Sequence, residues 1–138
     1  MPNMNRRSFM LSVLSLWGAI NSRVFASGIF DSDLDWENHL AHRLVKLIKQ
    51  RKSAEYIGKN YLHKYPLERN CRYLLDTLVL GNDRIILAES MTEKELKQKI
   101  KQNHVSDFTN GQTVSLQGWV LSKTECRLSA LAYLHSIS

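Results

Sequence analysis

Apolar residues recur at intervals of three or four positions through the first half of the chain, and this spacing is what most restricts the fold. Residues at such intervals lie on one face of an α-helix. Between Asp33 and Gln50, the apolar positions that share a face are Trp36, Leu40, Leu44, Leu47 and Ile48. The spacing therefore predicts a first core helix over this segment.

Two further helices are predicted before position 82. Ser53 is placed to cap the second, which Pro66 ends. Its apolar stripe is Ala54, Ile57, Tyr61 and Tyr65. Gly58 lies beside that stripe, where another backbone is expected to approach closely. The third helix is predicted over 67–80, with Gly81-Asn82 as its stop. Three helices in series with short loops predict an antiparallel bundle.

Two later segments begin with a capping box, in which the first side chain and a Glu three residues on bond each other's backbone N–H. Thr92 and Glu95 predict the start of one helix, and Asn110-Gly111 is expected to end it because both residues tolerate a positive φ. Ser122 and Glu125 predict the start of a C-terminal helix. The apolar edges of these two helices are Leu96, Ile100, Phe108, Leu128, Leu131 and Leu134.

The segment before the C-terminal helix has a different pattern. Polar and apolar residues alternate from Thr113 to Leu116, Gln117-Gly118 offers a turn, and 119–121 is apolar throughout. This pattern predicts a short β segment or hairpin. The expected fold is mainly α: a small antiparallel helical bundle with one short β segment or hairpin before the C-terminal helix.

The N-terminal segment is predicted to be a cleavable signal peptide. Arg6 and Arg7 precede an apolar run from Phe9 to Ile20, which at 12 residues is shorter than the roughly 20 needed to cross a bilayer. Val24-Phe25-Ala26 follows, with its smaller residues at 24 and 26, and cleavage is expected after Ala26. The alternative is an amphipathic first helix. Cleavage would leave a single domain over 27–138.

The paired arginines and Phe9 resemble the twin-arginine (Tat) export signal, although Asn5 stands where that pattern has Ser or Thr. Arg23, just before the cleavage position, is a charge that the Tat pathway tolerates. This resemblance implies a periplasmic location and contact with the Tat machinery, with no permanent membrane span.

The tail from Asp107 to Glu125 reads DFTNGQTVSLQGWVLSKTE. It resembles a C-terminal signature, of the form DFxxGxTVxxxGWxLSxTE, of small Tat-exported bacterial proteins that are not defined by a reaction. In size, helical content and export route the chain also resembles the small subunits of periplasmic flavin dehydrogenases of the gluconate 2-dehydrogenase and sorbitol dehydrogenase type. The resemblance implies an accessory subunit rather than an enzyme.

Charge and motif content narrow the function classes further. The signal segment holds three arginines and no acidic residue, so its removal lowers the formal charge from +6 to +3. Lys and Arg are otherwise dispersed at helical spacing, which is typical of a solvated face and argues against nucleic-acid binding. The chain contains no HExxH, CxxCH, GxSxG or glycine-rich nucleotide motif. No cofactor is therefore expected.

Cysteines and histidines offer two weaker candidates. Bridging Cys71 to Cys126 would close a loop of about 55 residues, a constraint of roughly 4 kcal/mol; two free buried thiols are the alternative. Asp35, His39 and His42 would lie on one side of the first helix, as metal ligands or as solvated polar residues. The other histidines are isolated in sequence.

Trp119 is the candidate partner-binding residue, since a tryptophan that follows Gly118 near the chain end has the size and position of an interface anchor. The alternative is that its ring closes the core of the bundle. Three functions are compatible with these observations, and an enzyme whose residues converge from distant positions ranks last. The first is an exported accessory or assembly subunit that binds a periplasmic protein, including a redox subunit; the alternative is a stand-alone module for a metal or small ligand.

Overall fold

The computed structural model describes residues 32–80 and 90–138. The predicted signal peptide, including Arg6, Arg7, Phe9 and the cleavage position at Ala26, lies outside these ranges, as does the predicted helix stop at Gly81-Asn82.

The described residues form five helices and one antiparallel hairpin. The helices are α1 (Ser32–Lys46), α2 (Arg51–Lys64), α3 (Cys71–Leu75), α4 (Glu93–Thr109) and α5 (Lys123–Ile137). A wider π-helical turn, Asp76–Leu80, continues α3, and a short 3₁₀ turn, Pro66–Glu68, precedes it. The hairpin consists of β1 (Thr113–Leu116) and β2 (Trp119–Ser122), directly before α5. The mainly α fold with a hairpin before the C-terminal helix is confirmed.

The C-terminal helix α5 is the centre of the fold. It contacts α1, α2, α3 and α4, and its first three turns are buried on almost every side. Leu128 and Leu131 are buried as predicted, while Leu134 is half-buried against the core. Small and polar residues of the same helix are buried as well: Thr124, Glu125, Cys126, Ser129, Ala130 and Ala132.

Gly58 allows a close contact between α2 and α5. A Cβ at this position would lie 2.0 Å from the carbonyl oxygen of Ser129 on α5, well inside van der Waals distance. The predicted close approach is confirmed, and only a residue without a side chain allows α2 and α5 to pack at this separation.

Two of the predicted helix starts are wrong. Ser53 lies inside α2, whose N-cap is Gln50 without a side-chain cap. The third helix begins after Asn70, not at 67, because the Asn70 side chain accepts a hydrogen bond from the Tyr73 N–H at 3.0 Å. The first helix ends at Lys46, although Leu47 and Ile48 are still buried.

Both capping boxes are confirmed. The Thr92 N–H donates to Glu95 Oε2 at 2.6 Å, and the Glu95 N–H donates to Thr92 Oγ1 at 3.2 Å. The corresponding distances for Ser122 and Glu125 are 2.8 and 3.0 Å. The predicted apolar edge of α4 is buried at Leu96 and Ile100 and half-buried at Phe108.

The hairpin register pairs Val114 with Leu121 and Leu116 with Trp119. Gln117 and Gly118 have φ of 52° and 80°, the positive values that a two-residue type I′ turn needs. Val114, Leu116 and Leu121 are buried, so one face of the hairpin packs on the helices. Among the helices of the described ranges, none is long and apolar enough to span a bilayer.

Candidate functional site

An apolar groove of about 480 Å³ lies between α2 and the hairpin. Its helical side is formed by Gln50, Lys52, Ser53, Tyr56, Ile57 and Asn60. Its hairpin side is formed by Leu116, Gln117, Trp119 and Leu121. Most of the α2 residues are spaced by three or four positions and therefore share a helical face.

Two hydrogen bonds hold the hairpin against α2 beside the groove. The Gln117 side-chain amide donates to Asn60 Oδ1 at 3.3 Å, and the Lys64 ammonium donates to the Ser115 carbonyl at 3.2 Å. The hairpin turn is therefore positioned relative to α2 by polar contacts as well as by its buried face.

Trp119 lies between the core and the groove. Its ring is half-buried and packs against the core, and it also lines the groove. On the helical side Tyr56 has 59% of its surface exposed. Two aromatic rings on separate elements thus face one cleft, the type of side chain that dominates binding energy at protein interfaces.

Among the residues that line the groove, Lys52 carries the charge. The neighbouring Arg51 is paired with Glu55 through a contact of 3.5 Å that is largely exposed. An exposed pair of this kind contributes little to stability. An apolar ligand with a nearby negative group would match both the walls and the charge of the groove.

A second cluster joins α4 to the start of α5 and was not found from the sequence. His104 Nδ1 lies 3.0 Å from Ser122 Oγ and 3.7 Å from Glu125 Oε2. Thr124 donates to Asp107 Oδ2 from both its N–H and its hydroxyl, each at 2.7 Å. The only sequence signal was the capping box, which shows Ser122 and Glu125 but gives no reason to add a histidine 18 positions earlier.

Burial controls the ionisation of this cluster. Glu125 is 2% exposed, and burial raises its pKa to about 7. Burial also lowers the pKa of His104. Glu125 Oε1 is buried and has no hydrogen-bond partner among the described residues. Burial of a carboxyl group with an unpaired oxygen favours its protonated form, so the fold is most stable when Glu125 is protonated.

Serine, histidine and a carboxylate are also the components of a hydrolytic triad, but in this arrangement a substrate has no access to the serine. The Ser122 side chain is fully buried, and its Oγ accepts the Glu125 N–H as a helix cap. A nucleophile must reach its substrate. In this geometry the cluster fastens α4 to α5.

A third polar cluster crosses from the 3₁₀ turn to α5. Arg127 Nε and Nη2 donate to the two carboxylate oxygens of Glu68, both at 3.0 Å, and the Tyr61 hydroxyl donates to the same carboxylate at 2.6 Å. Burial raises the Glu68 pKa, but the bonds from Arg127 and Tyr61 outweigh it and leave that pKa below its usual value. Two-point pairing of this kind fixes orientation, so the cluster positions the turn against α5.

The remaining candidates lie apart from the groove. Cys126 is buried and Cys71 half-buried, both as free thiols in this structure; their bridging stays a prediction. Burial raises the pKa of both thiols. Within residues 32–80 and 90–138, no three His, Cys, Asp or Glu side chains are placed to hold a metal ion. Asp35 and His39 are exposed, while His42 lies beside His135.

The chain matches no protein-family model, no curated protein and no solved structure. A function for this chain therefore has to be inferred from its own residues and from the geometry of the groove and the polar clusters.

Proposed function

We propose that the chain is an exported periplasmic accessory or assembly subunit, and that the groove between α2 and the hairpin binds its partner protein. The observation that carries this proposal is the pair of aromatic side chains, Tyr56 and Trp119, on opposite walls of an apolar cleft. Aromatic residues in such clefts are the side chains that most often dominate the energy of protein association.

The expected ligand is an apolar segment of the partner with acidic residues beside it. The apolar part would occupy the cleft between Tyr56 and Trp119, and the acidic part would lie near Lys52. The formal charge of +3 that remains after cleavage at Ala26 supports the same choice of partner. Side-chain amides of Asn60 and Gln117 would remain able to bond a partner backbone at the end of the groove.

The export part of the proposal rests on the sequence. The Tat pathway carries folded proteins, and a small helical domain without a cofactor motif has little need of folded export for itself. A partner that has to fold before export, such as a redox subunit, would be exported together with this chain. Replacing both Arg6 and Arg7 by Lys should keep the chain and its partner in the cytoplasm, whereas Arg23→Lys should not. Normal export of the double variant would contradict this part.

The docking site can be tested by crosslinking in the native cell. A photoreactive amino acid at position 56 should give one defined adduct with an exported protein, while the same group at Val105, which is exposed on α4 and does not line the groove, should not. Trp119→Ala should remove the position-56 adduct. Adducts of equal yield at 56 and 105 would contradict the proposal.

Thermal unfolding followed by circular dichroism separates docking from core closure. As a docking anchor, Trp119→Ala should leave cooperative unfolding intact and weaken partner binding by about 2 kcal/mol, or roughly 30-fold. As a core side chain, the same change should cost roughly 3–5 kcal/mol of stability. Tyr56→Ala serves as the second variant, because an exposed ring is removed with little effect on folding. Loss of cooperative unfolding in Trp119→Ala together with full binding by Tyr56→Ala would contradict the docking role.

A further inference from the structure

Two histidines from distant parts of the chain meet at the protein surface. His42 Nδ1 on α1 and His135 Nε2 on α5 are 3.5 Å apart, and the ring centroids are separated by 5.5 Å with a tilt of 54°. The sequence grouped His42 with Asp35 and His39 on one helix. Packing of α1 against α5 gives it a different nearest imidazole, 93 positions later.

The separation of these nitrogens is long for a hydrogen bond and close to the spacing of two imidazoles on one metal ion. A well-formed hydrogen bond has a donor–acceptor distance of roughly 2.7–3.2 Å. Two imidazole nitrogens that bind one tetrahedral zinc ion at about 2.0–2.1 Å lie about 3.3 Å apart. The observed 3.5 Å needs only a small adjustment of the two side chains to reach that value.

Burial and the nearby charges favour the neutral form of His42, and those charges also limit the affinity of a metal ion. Partial burial, followed by the nearby Lys46 and His135, lowers the pKa of His42, and Arg51 and His39 act in the same direction. A neutral imidazole has a lone pair to offer a metal at pH 7. The cationic neighbours also repel a metal ion, so binding should be weaker than at zinc sites with three or four protein ligands.

We propose that His42 and His135 form a binding site for a divalent transition-metal ion of the kind that prefers imidazole, with zinc as the representative ion. Water completes the coordination, since His42 is exposed. Neither histidine lines the groove between α2 and the hairpin, so the site is separate from the proposed partner surface.

Isothermal titration of the full chain with zinc chloride at pH 7.5 tests the site, after removal of any affinity tag and chelation of bound metal. Zinc should bind at one equivalent and raise the unfolding temperature. Loss of an outer-shell partner alone costs roughly 10–100-fold in metal affinity, so His42→Ala and His135→Ala should each weaken binding by about tenfold or more. His63→Ala is the matched control, because His63 is exposed on α2 and should leave binding unchanged.

Three results would overturn the proposal. One is the absence of zinc binding by the unmodified chain at millimolar concentration. Another is unchanged affinity in His135→Ala. The third is loss of binding in His39→Ala with binding retained in His135→Ala, which would place the metal on α1 alone. Circular dichroism of each variant shows that it is folded, so that loss of binding is not loss of structure.

Discussion

Helices α4 and α5 start with the same four-residue pattern in two different environments. Thr92 and Glu95 form their capping box at an exposed helix end, where the bonds from the Thr92 backbone and side chain hold the pKa of Glu95 below its usual value. Ser122 and Glu125 form theirs in the interior, where burial raises the pKa of Glu125 to about 7. The motif thus determines the local hydrogen bonds, while tertiary packing determines the ionisation of the carboxyl group and the cost of losing the cap.

A substitution at Gly58, where α2 packs closely against α5, should have the largest effect on stability. Gly58→Ala would place a methyl group 2.0 Å from the Ser129 carbonyl oxygen, which is backbone and cannot rotate away. We expect a loss of about 3 kcal/mol or more in the free energy of unfolding, measured by urea denaturation. Lys59→Ala, at the neighbouring exposed position, is the control and should change stability little. Equal stability of the two variants would show that α2 and α5 do not pack this closely.

Removing the two cap hydroxyls tests the contrast between the exposed and the buried cap directly. Thr92→Ala should cost about 1 kcal/mol, the usual value for an exposed cap. Ser122→Ala should cost about 2–3 kcal/mol, because it also leaves buried groups of His104 and Glu125 without a partner. Chemical denaturation of both variants measures the difference. Equal losses would mean that burial adds nothing to the second cap.

The pH dependence of stability should differ between the two carboxyl groups. The Glu125 pKa is raised in the folded state, so folding binds a proton between about pH 4.5 and 7, and stability falls as pH rises through this window. The size of this effect is about 3 kcal/mol. The effect of Glu95 has the opposite sign. Its pKa is lowered in the folded state, so its contribution to stability is lost as pH falls below the usual carboxyl range.

Glu125→Gln isolates the buried group. The amide is neutral at every pH, so the variant should gain stability relative to the original chain as pH rises from about 4.5 to 8. His104, whose pKa is lowered, destabilises the fold when it is protonated at low pH, and it lies 3.7 Å from Glu125, so the same comparison is repeated in a His104→Gln background. A constant difference across this range would contradict a raised Glu125 pKa.

The smallest effect is expected at the hairpin turn that leads into the buried cap. Gln117 has a positive φ of 52°, which Asn tolerates better than Gln. Gln117→Asn should therefore stabilise the protein by about 0.5 kcal/mol, visible as a small rise in the unfolding temperature. Gln112→Asn, at an exposed position outside the two strands, is the control. A loss of stability would indicate that the bond from Gln117 to Asn60 outweighs backbone strain.

Much of the fold arises from local chemistry that is readable along the chain. Both capping boxes, the Gln117-Gly118 turn and the close approach at Gly58 were predicted from residue types and their spacing, and all are present. The predicted cap at Ser53 was wrong because the N-cap of α2 is Gln50, three positions earlier, which leaves Ser53 inside the first turn.

The candidate sites were less predictable than the fold. Trp119 was identified from the sequence, but the opposite wall with Tyr56 was not, since the helical stripe of α2 gave no indication that the hairpin would lie along it. The sequence does not indicate the partners of His104 and His135, because these partners are 18 and 93 positions away. Spacing along the chain reports only on residues that one helix or strand brings together.

Residue order alone was enough to predict that the helices, the hairpin and the two capped helix starts exist, although not where α2 and α3 begin, because caps and turns join residues that are close in sequence. Packing was needed to make α5 central, to bury Glu125, and to bring Tyr56 opposite Trp119 and His42 beside His135. Those outcomes depend on how helices pack across the core, and α5 carries small and polar residues on faces that a surface helix would expose. The sequence of α5 therefore does not predict its burial, which depends on the helices that pack around it.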